Sequence, residues 1–118
     1  MAGQVPLASG ELKYTGRVPD QASVDDAKQS ARLCALNVLA QVNAAAGLDK
    51  VEMVAQVIGW VACSDDFGEQ PQVINAASDL LTDVLGDAGK HTRAAVGTNA
   101  LPRGVTTEVA AVFVVRTE

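Results

Sequence analysis

A chain of 118 residues is long enough for one domain with a real core, and 48% hydrophobic with 19% charged side chains makes it globular rather than disordered. Its 14 acidic against 9 basic residues leave a net charge of −5, which argues against an electrostatic nucleic-acid binder, because phosphate contacts need clustered Lys and Arg. No apolar run is long enough to cross a bilayer and none at the start resembles a secretory leader, so a cytoplasmic protein with no membrane partner is expected.

The first 22 residues are punctuated by Gly and Pro. Glu11 to Thr15 reads either as a short strand, bracketed by Gly10 and Gly16, or as a loop crossing the sheet. Ser23 is a good N-cap, and Asp25 and Asp26 place negative charge where a helix start favours it. The spacing predicts a helix to about Ala46. Its apolar stripe is Ala27, Ala31, Cys34, Val38, Val42 and Ala45, widened by Leu36 and Leu39, and its alanines suit close packing on a sheet. Gly47 is placed to end it.

Val51 to Val61 reads as a strand with Glu52, Val54, Gln56, Ile58 and Trp60 on one face. Both faces are therefore at least partly covered, one of them by a partner subunit. Gly59 within it suggests a bulge or a close backbone approach. Trp60 reads as a subunit contact or core residue rather than a ligand platform. Cys63 to Asp66 is polar punctuation, and Gln70-Pro71 opens a second helix. Its predicted buried stripe is Ile74, Ala77, Leu80, Leu81 and Val84, and Gly86 ends it. Asn75 lies beside that stripe, facing either solvent or a pocket. Asp87 to Lys90 is a predicted loop, and His91 reads as an unremarkable exposed side chain. Residues 93–98 and 105–115 then alternate with period two around Leu101-Pro102-Arg103-Gly104, as two strands joined by a short loop.

Two charged residues interrupt these last strands, Arg93 and Glu108. Arg93 carries a permanent planar fork of donors, which matches a carboxylate best. Glu108 sits among Val, Ala and Thr, where a buried carboxylate is costly unless paired or protonated. Three readings stand open: the two neutralise each other across adjacent strands, Glu108 is solvated at a strand end, or both line one dry site. Cys34 and Cys63 lack metal-like spacing and read as reduced, buried thiols. With one histidine and no paired cysteines, no metal is expected.

The pattern R-x-x-V-x-x-x-x-L-P-x-x-V-x-x-E, standing as Arg93, Val96, Leu101, Pro102, Val105 and Glu108, resembles the C-terminal signature of the RidA/YjgF family, also called endoribonuclease L-PSP. The segments ARLCALN and VINAASDLL resemble a bacterial branch of it, and the likeness runs from about residue 3 to residue 116. It implies a single α+β domain over residues 1–118, chorismate mutase-like, with two helices on one face of a sheet and a homotrimer hiding the other. It also implies hydrolysis of small 2-imino acids in a cleft between subunits, without a cofactor. Glu108 and Arg93 would be catalytic, and Arg93, Asn75, Gly3, Thr98 and Ala100 would bind the substrate's carboxylate end. A non-catalytic trimer binding a small carboxylate is the alternative, and an endoribonuclease a more distant one. Gly3-Gln4-Val5-Pro6 resembles a family turn that follows an N-terminal hairpin and a third strand, so the chain is expected to lack about thirty residues of family sequence. Ala95 stands where the family often has Cys or Ser.

Overall fold

The computed structural model describes residues 3–117. The expectation of a shortened start concerns Met1, Ala2 and what would precede them, and lies outside the described residues. Two short strands open the chain, β1 (Leu7–Ala8) and β2 (Glu11–Leu12), paired antiparallel. Ser9 and Gly10 turn between them with φ of 53° and 80°, as a two-residue hairpin loop demands. Thr15 adds only an isolated bridge to Val105, so the strand-or-loop alternative for Glu11 to Thr15 resolves into a small hairpin and a connection.

Helix α1 (Val24–Ala45) starts where its cap predicts: Ser23 Oγ accepts a hydrogen bond from the Asp26 amide at 3.0 Å. Gly47, with φ of 92°, follows its end. The buried stripe is Ala27, Ala31, Cys34, Ala35, Val38, Leu39 and Val42. Leu36 is 41% exposed and Ala45 is also exposed, because the sheet covers a narrower arc than the apolar residues span. Asn37 donates to the Val5 and Leu7 carbonyls at 2.8 and 3.0 Å, which ties the opening segment to α1.

Strand β3 (Val51–Ala62) is the middle of a three-stranded sheet in the order β4-β3-β5, with β4 (Thr92–Thr98) parallel to it and β5 (Thr107–Val115) antiparallel. The two last strands therefore do not pair with each other. Register shifts between Val51 and Met53 and between Val54 and Gln56 correct the predicted faces. An extra residue reverses the side-chain alternation, so Val54 joins Val57 and Val61 in the core and parts from Ile58 and Trp60. The other face of the sheet carries the cross-strand rows Thr92–Gln56–Val112, Ala94–Ile58–Ala110 and Val96–Trp60–Glu108.

Helix α2 (Gln70–Leu85) packs beside α1 on the core face. Val73, Ile74, Ala77, Leu80 and Leu81 are buried, whereas Val84 is 47% exposed because the last turn runs past the sheet. The predicted loop after it is a tight helical turn, Gly86–Gly89. Gly59 is a close approach: a Cβ there would lie 2.5, 2.6 and 2.8 Å from three side-chain atoms of the buried Ile74. Both branches of Ile74 lie within reach of it, so the side chain or the backbone must shift. Gly59→Ala is expected to cost about 1–3 kcal/mol of stability as overpacking, read by urea unfolding. Ile74→Ala destabilises by itself, but the double variant should lose less than the sum of the two single losses. Strict additivity of the two substitutions would show that the contact is not what limits Gly59.

Candidate functional site

Arg93, the second residue of β4, lies opposite Val57, a core residue, so its side chain leaves the sheet on the helix face, at the sheet's edge. There it meets one face of α2. Arg93 Nη1 donates to Asn75 Oδ1 at 2.7 Å and to Ser78 Oγ at 3.3 Å. Asn75 and Ser78 are three residues apart, hence neighbours on the helix surface. Ser78 Oγ also lies 2.9 Å from His91 Nε2, and His91 Nδ1 lies 2.5 Å from the Gly89 carbonyl oxygen. Among the described residues nothing engages Arg93 Nε or Nη2, so α2 holds one corner of an exposed guanidinium and leaves one edge of its fork open.

Glu108 lies elsewhere. Its neighbours Thr107 and Val109 point into the core, so Glu108 faces the opposite side of the sheet, beside Trp60. It is half-buried. Backbone hydrogen bonds from Gln4 N to Val109 O at 2.7 Å and from Val109 N to Gln4 O at 3.0 Å bring Gly3 against it. A Cβ on Gly3 would overlap the Glu108 carboxylate. Thr98 and Ala100 form a third group: Thr98 Oγ1 donates to the Ala100 carbonyl at 3.2 Å in the turn after β4.

The predicted site residues are thus three pairs rather than one cluster. Arg93 meets Asn75, Gly3 meets Glu108, and Thr98 meets Ala100. The reading in which Arg93 and Glu108 neutralise each other across adjacent strands does not hold, nor do they line one site within a chain, because β3 lies between them and they project from opposite faces. Two inter-strand spacings and three residues of stagger put their backbones about 14 Å apart. A cleft of about 420 Å³ at the carboxyl ends of β3 and β4, lined by Cys63, Asp65, Phe67, Gln70, Thr98 and Asn99, touches neither charge. Thr98 is five residues from Arg93, about 16 Å of extended strand.

Two residues of the Arg93 cluster had no reading as site residues in the sequence, Ser78 and His91. His91 is half-buried with both ring nitrogens engaged, not an idle surface side chain. The available signals were weak ones: Ser78 stands one turn beyond Asn75, and His91 stands two residues before Arg93.

Residues 1–114 match the family described as "YjgF/chorismate mutase-like, putative endoribonuclease". The chain belongs to this family. Protein TCP17 of Trypanosoma cruzi is 40% identical over 111 residues, 92% of this chain and 69% of that protein. A crystal structure of a protein of unknown function from Agrobacterium tumefaciens superposes with a TM-score of 0.95 at 43% identity, over 98% of this chain and 74% of the other. The crystal structure of E. coli TdcF with bound serine gives a TM-score of 0.64 at 26% identity, over 98% and 78%. The expected architecture, two helices on one face of a mixed sheet, is this family's.

Both cysteines are free and buried. Burial pushes the Cys34 thiol from 9.0 up to about 12; a hydrogen bond with Thr107 opposes the shift and the Glu108 carboxylate adds to it. Ser30 and Thr107 share a 2.6 Å hydrogen bond beside it. The folded chain therefore holds a proton that the unfolded chain releases. Stability contributed by Cys34 is present below pH 9.0 and is lost as pH rises towards about 12. Urea unfolding of wild type and Cys34→Ala across that window should show the difference between them shrinking as pH rises. A constant difference would mean that Cys34 ionises alike in both states.

Proposed function

We propose that this chain binds a small 2-imino acid by its carboxylate on Arg93 and hydrolyses the C=N bond, with Glu108 of a neighbouring copy activating the water. The observation that carries the carboxylate half is the clamp on Nη1. Asn75 and Ser78 hold one corner of the guanidinium and turn a remaining edge outward, ready for two parallel charge-assisted hydrogen bonds. The bound serine of TdcF is a ligand with the same carboxylate group.

The opposite placement of Glu108 supports the second half. One chain cannot bring both groups to one small molecule, whereas copies that cover each other's open sheet faces can. That face exposes Met53, Val96, Val112 and Val114, apolar surface that a partner would bury. A closed homotrimer meets this need. In the reaction, Glu108 takes a proton from water as its oxygen adds to the imine carbon. It passes that proton to the nitrogen, giving a carbinolamine; the remaining hydroxyl proton then moves by way of Glu108 to the nitrogen as the C–N bond breaks, and a 2-oxo acid and ammonia depart. Neither step calls for a metal or an organic cofactor. RNA is the poorer substrate for a chain of net charge −5.

A second reading, a trimer that binds a carboxylate without turning it over, is favoured by one observation: the Arg93 cluster is complete without Glu108.

Ammonia release from freshly generated 2-iminopropanoate tests both. Arg93→Ala is expected to raise KM by roughly 10²–10⁴-fold, the loss of two hydrogen bonds to a charged group at about 1.5–3 kcal/mol each. Glu108→Gln should lower kcat by roughly 10²–10⁴-fold, the usual worth of general acid–base help. Unaltered turnover in Glu108→Gln would refute its role, and a silent wild type that still binds the carboxylate would favour the binder. Native mass spectrometry should read three copies. Reassembling Arg93→Ala with Glu108→Gln in equal amounts should restore about a quarter of the sites, because an intersubunit site draws each group from a different copy. No recovery in mixed trimers would place both groups on one chain.

A further inference from the structure

We infer that Ser78 and His91 are positioning residues for Arg93, acting as a hydrogen-bonded relay that fixes which edge of the guanidinium faces a bound carboxylate. The inference rests on the carboxylate reading above and extends it to two residues that touch no substrate.

The relay has a direction that the atoms impose. A backbone carbonyl can only accept, so the Gly89 oxygen, 2.5 Å from His91 Nδ1, requires the proton on that nitrogen. In the neutral ring Nε2 then carries a lone pair. Ser78 Oγ, 2.9 Å away, donates its hydroxyl proton there. A serine hydroxyl has one proton and two lone pairs and rotates freely unless something selects its rotor. With the proton committed to His91, a lone pair is left for Arg93 Nη1 at 3.3 Å. Nη1 has two protons, and Asn75 Oδ1 takes the other at 2.7 Å. Both protons of Nη1 are thus spent on α2, and a ligand is offered Nε and Nη2.

The start of the relay is anchored as firmly as its end. Gly89 is buried, and a Cβ there would lie 2.8 Å from the Leu81 carbonyl carbon and 2.9 Å from Thr82 Cα. Only glycine lets this turn press against α2 and hold its carbonyl at His91. Without His91, the Ser78 proton would turn to another acceptor and Oγ would no longer be held ready for Arg93. Without Ser78, Arg93 keeps Asn75 alone and can pivot about one hydrogen bond.

The test separates positioning from folding. Calorimetric titration with 2-oxopropanoate, the stable product of the proposed reaction, reads carboxylate affinity. Steady-state assays with 2-iminopropanoate read KM and kcat. Ser78→Ala and His91→Phe should each weaken binding about three- to tenfold, the worth of one hydrogen bond, and raise KM with little change in kcat. Ser78→Thr, which keeps the hydroxyl, should restore affinity. The double variant should be no worse than either single one, because the two act as one unit. Nitrogen-15 spectra of wild type should show the neutral His91 ring protonated at Nδ1. Additive losses, a Ser78→Thr protein as weak as Ser78→Ala, or a ring protonated at Nε2 would overturn the relay while Arg93→Ala still abolishes binding. If Arg93→Ala binds as wild type does, the carboxylate reading itself fails, and the relay's purpose with it.

Discussion

Strand β3 in the middle of the sheet is the constraint on which the rest of this structure depends. It is buried on its helix face by Val54, Val57, Gly59 and Val61, and it pairs along both edges. The chain leaves it through α2, returns parallel as β4 on one side, and crosses to become β5 on the other. Arg93 and Glu108, only fifteen positions apart in sequence, are thereby sent to different strands and different faces. A shift of either by one residue would reverse its face, since strand side chains alternate.

The seam between α2 and the sheet decides where the cation can rest. Gly59 lets Ile74 reach the backbone of β3, and Gly89 lets the following turn close against α2. With the helix drawn in at both places, Asn75 and Ser78 fall within hydrogen-bonding distance of Arg93. An exposed arginine ordinarily gains little from a single surface partner. Here one corner has two neutral acceptors, which leave its charge uncompensated and available to an anion.

The same sheet presents an apolar face with Trp60 and Glu108 in one row. A carboxylate in such surroundings suits proton transfer only when a substrate and a water share its compartment, and the chain by itself leaves that face open. In the proposed scheme the cation and the base are parts of different copies, so assembly and catalysis become one requirement. The cleft at the carboxyl ends of β3 and β4 is lined by neither group.

Local chemistry made much of the fold legible in the sequence. The Ser23 cap, the helical spacing of both stripes and the alternation in the last strands all act within a few residues, where φ/ψ preferences and side-chain period suffice, and the Arg93-to-Glu108 motif added a family resemblance. The family, its two-helix layer and the close approach at Gly59 followed from them. Tertiary structure decided the rest. Two register shifts moved Val54 into the core, the limited extent of the sheet left Leu36 and Val84 in solvent, and strand order separated Arg93 from Glu108. The Ser78 and His91 contacts were likewise invisible beforehand. Each depends on how one element docks on another, and hydrogen bonds between side chains thirteen to eighteen residues apart leave no periodic trace in a sequence.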